Sequence, residues 1–117
     1  MIEIVDNNIT LQEYLGIREA VSWKKLSKNQ AFKALDNSLY VAGAYDGERL
    51  VGMGRIVGDG AVICYVQDLI VIPEYQKHGV GSMVLDSLIR YVDSLREDNT
   101  CMMLCLMCAK GREHFYE

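Results

Sequence analysis

The chain has 117 residues, of which 50% are hydrophobic and 24% charged, with a formal net charge of -4 at pH 7. That length suits a single domain, 1–117, and no apolar run nears the roughly 18 residues that a membrane span needs. An acidic balance without a basic patch excludes the usual nucleic-acid binder and tilts the choice of ligand toward cations.

The start, Met1-Ile2-Glu3-Ile4, lacks a basic flank ahead of an apolar region, so no signal peptide is read and a cytoplasmic location is expected. Ile2 and Ile4 alternate along a short strand to Val5, which the turn-prone Asp6-Asn7-Asn8 closes. Thr10-Leu11-Gln12-Glu13 is a capping box. It predicts a helix from Leu11 to about Val21, with Leu11, Leu15 and the stem of Arg18 on the apolar stripe. Ser27-Lys28-Asn29-Gln30 repeats the device and opens a second helix carrying Ala31, Phe32, Ala34 and Leu35, stopped by Asp36-Asn37-Ser38.

From Leu39 the period changes. Residues 39–45 and 49–57 read as a hairpin about Asp46-Gly47, because an Asp-Gly pair supplies the positive φ of a tight turn. Gly58-Asp59-Gly60 turns the chain into a long strand from Ala61 to Ile72, completing an antiparallel meander. Val80, Val84, Leu88, Val92 (or Tyr91) and Leu95 then recur at helical spacing. The run Cys101–Cys108 contains no polar residue, which suits a strand covered on both faces and parallel to the one before the helix. A last helix begins near Lys110. The expected class is α/β, a mixed sheet of α+β type.

Of Cys64, Cys101, Cys105 and Cys108, only the last two have Cys-x-x-Cys spacing, with no histidine close by. All four read as buried thiols, and no metal site is expected.

The chemistry lies between Val66 and Leu95. A strand ends at Pro73, and Gly79 and Gly81 open the long helix, whose first turn offers unpaired backbone N–H groups to an anion. Two glycines exceed what capping alone requires. A P-loop is excluded because Ser82-Met83, not Lys-Ser/Thr, follows Gly81. A dinucleotide fingerprint is excluded because the helix still runs where a second strand should end in an acidic residue. Leu69-Ile70-Val71-Ile72-Pro73 followed by Gln76-Lys77-His78-Gly79-Val80-Gly81 instead resembles the pyrophosphate motif of the GCN5-related N-acetyltransferase (GNAT) family. That motif is Gln/Arg-x-x-Gly-x-Gly/Ala after a strand of Leu-x-Val-x-Pro type. The order of elements is similar to that family's over essentially the whole chain. Phe115-Tyr116-Glu117 resembles the start of its Phe-Tyr-Glu-Lys-x-Gly-Phe signature.

The resemblance implies the acyl-CoA N-acyltransferase fold and direct transfer of acetyl from acetyl-CoA to a primary amine of a small molecule or peptide. It assigns the pantetheine to main chain at Leu69, Ile70 and Val71, and the pyrophosphate to amides of His78, Gly79, Val80, Gly81 and Ser82. Gln76 and Lys77 add side-chain contacts, although Lys77 reads equally well as solvated. Tyr116 takes the family's general-acid position, where a phenol of pKa about 10 stays protonated and can donate to a thiolate. Strict alternation puts Tyr65, Gln67 and Leu69 on one face, with Tyr65 and Gln67 at positions that relatives use for a water relay. Asp68 faces the other way unless a bulge redirects it. Tyr14 and Trp23 belong to the region that walls the family's acceptor pocket, and are either substrate contacts or aromatics sealing the helix pair. His78 and His114 are given no acid-base role.

Two departures accompany the likeness. Relatives often carry an Asn near the start of the last helix, where this chain has Cys108-Ala109-Lys110. They also continue into two further strands, so this chain reads as the fold stopped after its fourth helix: cut short, a natural fragment, or completed by another chain. A bare apolar edge at Cys101–Cys108 predicts a homodimer. The alternatives to an enzyme are a non-catalytic acyl-CoA-binding or regulatory module and an inactive fragment.

Overall fold

Among the described residues, five strands line up in sequence order in one sheet: β1 (Ile2–Asp6), β2 (Tyr40–Asp46), β3 (Arg49–Gly58), β4 (Ile63–Val71) and β5 (Met103–Leu106). The first four are antiparallel and β5 runs parallel to β4. The computed structural model describes residues 1–97 and the backbone of Met103–Leu106. The expected last helix, with Tyr116, lies outside the described residues, as do the ends of the expected Cys101–Cys108 strand.

Helices α1 (Leu11–Ala20) and α2 (Lys28–Asp36) begin as their capping boxes dictate. Thr10 and Ser27 accept from the amides of Glu13 and Gln30, whose side chains reach back to the cap amides. The buried face of α1 differs from the expected stripe. Tyr14 and Ile17 are buried whereas Leu11 and Leu15 are half-buried, because the sheet lies under Tyr14. On α2, Ala31 is buried but Phe32 is 58% exposed.

Helix α3 (Val80–Leu95) covers the opposite face of the sheet with Val80, Val84, Leu88 and Val92 buried, matching the expected periodicity. Each fully buried aliphatic chain contributes roughly 1.5–3 kcal/mol. The helix sits close because β3 offers glycines beneath it. A Cβ at Gly52 would come within 2.8 Å of Val80, and one at Gly54 within 2.8 Å of Leu88. Near its end, Tyr91 stacks on Tyr40 of β2 with ring centroids 4.6 Å apart.

Two turns differ from expectation. The hairpin loop is Gly47-Glu48 rather than Asp46-Gly47: Asp46 still pairs with Arg49, and Gly47 alone takes positive φ (63°). Strand β4 starts at Ile63, not Ala61, because the Asp59 carboxylate accepts from the amides of Ala61, Val62 and Ile63 and holds them in a turn.

The third difference decides the site. Arg55 pairs with Gln67 but Met53 pairs with Ile70, so Gly54 faces both Asp68 and Leu69 and β4 carries a bulge. Asp68 adopts the left-handed conformation, φ 53°. The alternation expected for Tyr65, Gln67 and Leu69 therefore breaks. Tyr65 and Gln67 face the α1 side with Arg55, while Leu69 turns toward α3, where it shares the space above Gly54 with Val84 and Leu88.

Candidate functional site

The bulge brings Asp68 onto the face that strict alternation denied it. Its side chain is only 7% exposed, and three donors converge on it. Arg18 Nη1 donates to Oδ1 at 2.9 Å and Arg55 Nε to Oδ2 at 2.6 Å, and the Tyr14 hydroxyl also donates to Oδ2. A buried carboxylate persists only when paired and hydrogen-bonded, and these partners meet that condition. Two guanidinium groups against one carboxylate leave a single formal positive charge. Burial, then the Asp68 carboxylate, push the Tyr14 hydroxyl above its ordinary pKa, so it remains a donor.

Each arginine also holds a further segment, Arg18 the connection after α1 and Arg55 the end of α2. Arg18 Nη2 donates to Lys24 O at 3.1 Å, and its guanidinium lies 5.3 Å from the Trp23 ring centroid. Arg55 Nη1 donates to Ala34 O and Ser38 Oγ, both at 3.1 Å, at the end of α2. The C-terminal half of α1 and the connection to the start of α2 enclose a cleft of about 710 Å³. Leu15, Trp23 and Leu26 supply its apolar lining, with Arg18, Lys25 and Lys28 around it. Trp23 thus lines the cleft. Tyr14 does not line it, being fully buried with its hydroxyl on Asp68.

On the far edge of β4, the described pairing with β5 runs from Ile63–Met103 to Val66–Leu106. Gln67 to Val71 have no strand beside them on that edge among the described residues. Ile70 and Val71 are buried, so their offer to a ligand is main chain only. The strand leads through Pro73–Tyr75, one turn of 3-10 helix, into the glycine loop. That turn is anchored to the β2–β3 hairpin by Tyr75 Oη donating to Asp46, by an Arg49–Glu74 pair at 2.7 Å, and by Ile72 N donating to Val51 O.

The loop backbone is left-handed twice, at Lys77 (φ 67°) and at Gly79 (φ 83°), which is the N-cap of α3. Gly79 has no side chain to close the first-turn amides, and a Cβ there would meet nothing within 4 Å. The open space in front of Val80, Gly81 and Ser82 therefore faces the positive end of a 16-residue helix. Gln76 is turned inward instead, its amide donating to Val71 O at 2.8 Å and bracing the loop. Lys77 and His78 flank the opening, with His78 exposed.

Asp68 and Arg55 carried a sequence signal that only the pairing explains. Arg55 interrupts the apolar run Leu50–Val57, and a charge in a buried strand needs a carboxylate opposite it. Among the described residues no cluster of three His, Cys, Asp or Glu could hold a metal ion, and Cys64 is buried.

The model of the acetyltransferase (GNAT) family matches residues 8–117. The chain belongs to the GNAT family. This GNAT chain is 29% identical over 113 residues to an uncharacterized ycf52-like N-acetyltransferase of Prochlorococcus marinus, covering 93% of the chain but 61% of that relative. It spans about half or less of the length of the other curated relatives. Among solved structures it is similar to a GNAT protein of Streptococcus pneumoniae, with 31% identity, TM-score 0.82, and 99% of this chain and 83% of that one covered. A probable acetyltransferase of methicillin-resistant Staphylococcus aureus superposes with TM-score 0.87 at 25% identity, over 99% of this chain and 86% of that one. An aminoglycoside N-acetyltransferase solved with CoA shares the fold alone, at 13% identity and TM-score 0.75, over 99% of this chain and 82% of that one.

Proposed function

We propose that this GNAT chain transfers an acetyl group from acetyl-CoA directly to a primary amine of a small molecule or peptide. One observation carries the reading: on a single continuous segment, a strand edge without a described partner beyond the bulge leads into an uncapped, glycine-opened helix N-terminus. Those two features suit the two ends of one ligand, an amide-bearing arm that adds as a strand and a pyrophosphate that takes helix amides. The CoA bound to the distant aminoglycoside enzyme of the same fold supports the assignment.

In this reading main chain at Leu69, Ile70 and Val71 holds the pantetheine arm and polarises the thioester carbonyl. Amides from His78 to Ser82 take the pyrophosphate, with Lys77 adding charge and Gln76 keeping the loop in shape. The acceptor enters the α1–α2 cleft beside Trp23, and Tyr65 and Gln67 relay its proton through water. Tyr65, 36% exposed, and Gln67, half-buried, share the α1 side with the Asp68 cluster. Tyr116 protonates the departing thiolate. A homodimer built on the β5 edge and a cytoplasmic site of action complete the proposal.

Thermal unfolding in the presence of CoA tests the binding half. At a hundredfold excess over the dissociation constant, stabilisation of about 2.7 kcal/mol is expected, and no shift at millimolar CoA refutes it. Thiol release with a panel of amines tests the transfer half. Loss of turnover in Tyr116→Phe with CoA binding kept is the expected result, whereas unchanged turnover removes Tyr116 from the chemistry.

A further inference from the structure

Asp68 sits at an unusual convergence of the fold. It takes the left-handed region, which aspartate visits more readily than most residues, and its surroundings hold it there. Here the surroundings are Tyr14 and Arg18 from α1 and Arg55 from β3. Through Arg18 the carboxylate reaches the Lys24 carbonyl and the underside of Trp23. Through Arg55 it reaches Ala34 and Ser38 at the close of α2. The cleft wall at Trp23 and the far end of α2, which lies outside the cleft, therefore both end on the one residue that also makes the bulge.

We infer that Asp68 is a positioning residue that fixes the acceptor cleft relative to the bulged part of β4, so that amine and thioester are held in one frame. The inference rests on the acetyl-transfer reading above, and adds that cleft geometry depends on a side chain that touches neither ligand. The cofactor loop does not share this dependence. It is anchored separately, by Gln76 to Val71, Tyr75 to Asp46 and Arg49 to Glu74. Acceptor recognition and coenzyme affinity should accordingly come apart when the carboxylate is removed. Trp23 is the only tryptophan of the chain and reports the cleft wall by its fluorescence.

Asp68→Gly is the test, since glycine adopts φ 53° without penalty and deletes the carboxylate alone. Calorimetry is expected to show CoA affinity falling far less than acceptor affinity, because the pyrophosphate loop has its own anchors even though the pantetheine main chain begins at the neighbouring Leu69. Trp23 emission should shift to the red as its ring loses the Arg18 guanidinium. At saturating acetyl-CoA the acceptor KM should rise at least about tenfold, the cost of a misplaced reactant. Wild-type Trp23 emission or an unchanged acceptor KM overturns the inference. So does a loss of CoA affinity in step with the acceptor, which is what general loosening would give. Where Asp68→Gly does not fold, Arg18→Lys replaces it: an ammonium can pair with Asp68 but cannot also reach the Lys24 carbonyl. The same red shift with CoA affinity kept supports the inference, and unaltered emission refutes it. A wild-type protein that binds no CoA sinks the coenzyme reading, and the emission of the two variants then decides the positioning role by itself.

Discussion

The two faces of the sheet are held by opposite kinds of physics. Under α3 the contact is apolar and close, with Val80 and Leu88 seated over Gly52 and Gly54. Under α1 and α2 the contact turns on a buried carboxylate shared by two arginines and a tyrosine. Apolar contacts add up and tolerate repacking, while a buried charge that loses its partner is left uncompensated. The difference suits their tasks. In the proposed reading the α3 face has only to present a helix end to a phosphate, whereas the α1 face has to place a cleft wall against a strand, where a misplacement of about 1 Å is costly.

If that contrast holds, the largest loss comes from the charged side. Asp68→Asn keeps size and tolerates the left-handed backbone, yet leaves Arg18 and Arg55 without an anion, and should cost about 3–5 kcal/mol in urea unfolding. Equality with wild type would mean that the cluster contributes nothing to stability and that the two faces are alike. Gly54→Val probes the other side by overfilling it. The new methyls meet the ends of Leu88 and Val84, which can yield, so about 1–3 kcal/mol is expected. A cost larger than that of Asp68→Asn would reverse the comparison.

The smallest effect is alkaline, and it touches both faces. Burial first, then a neighbouring carboxylate, push Tyr40 under α3 and Tyr45 under α1 up to about 12, the carboxylates being Asp6 and Glu13. A raised value in the folded state means that the fold favours the protonated phenol. Its contribution is complete below pH 10 and falls as the pH rises from there toward 12. Absorbance titration of the phenolates should show Tyr40 and Tyr45 among the late tyrosines, together with Tyr14 and Tyr75, which are also raised. Ionisation of Tyr40 and Tyr45 at the ordinary value, with the fold intact, would contradict the burial on both faces.

The elements themselves were legible because their causes are local. Thr10 with Glu13 and Ser27 with Gln30 start helices wherever they occur, and the spacing of Val80, Val84 and Leu88 can be buried only as a helix face. The glycine loop was legible for the same reason, since Gly79 at a strand-to-helix junction needs only its own backbone freedom. The turn was misplaced by one residue because Asp46 had a pairing partner in Arg49 that outweighed its taste for turns.

What the residue order determined by itself, then, was the succession of strands and helices and the anion-ready helix end. Each depends on neighbours within a few positions. The bulge at Asp68, the sorting of Gln67 from Leu69 onto opposite faces, and the tie from the cleft wall through Arg18 to one carboxylate were decided by tertiary structure. Those features arise from pairing between residues as far as 54 positions apart. A one-residue slip in a strand reverses every side chain beyond it, and no local pattern records where the slip occurs.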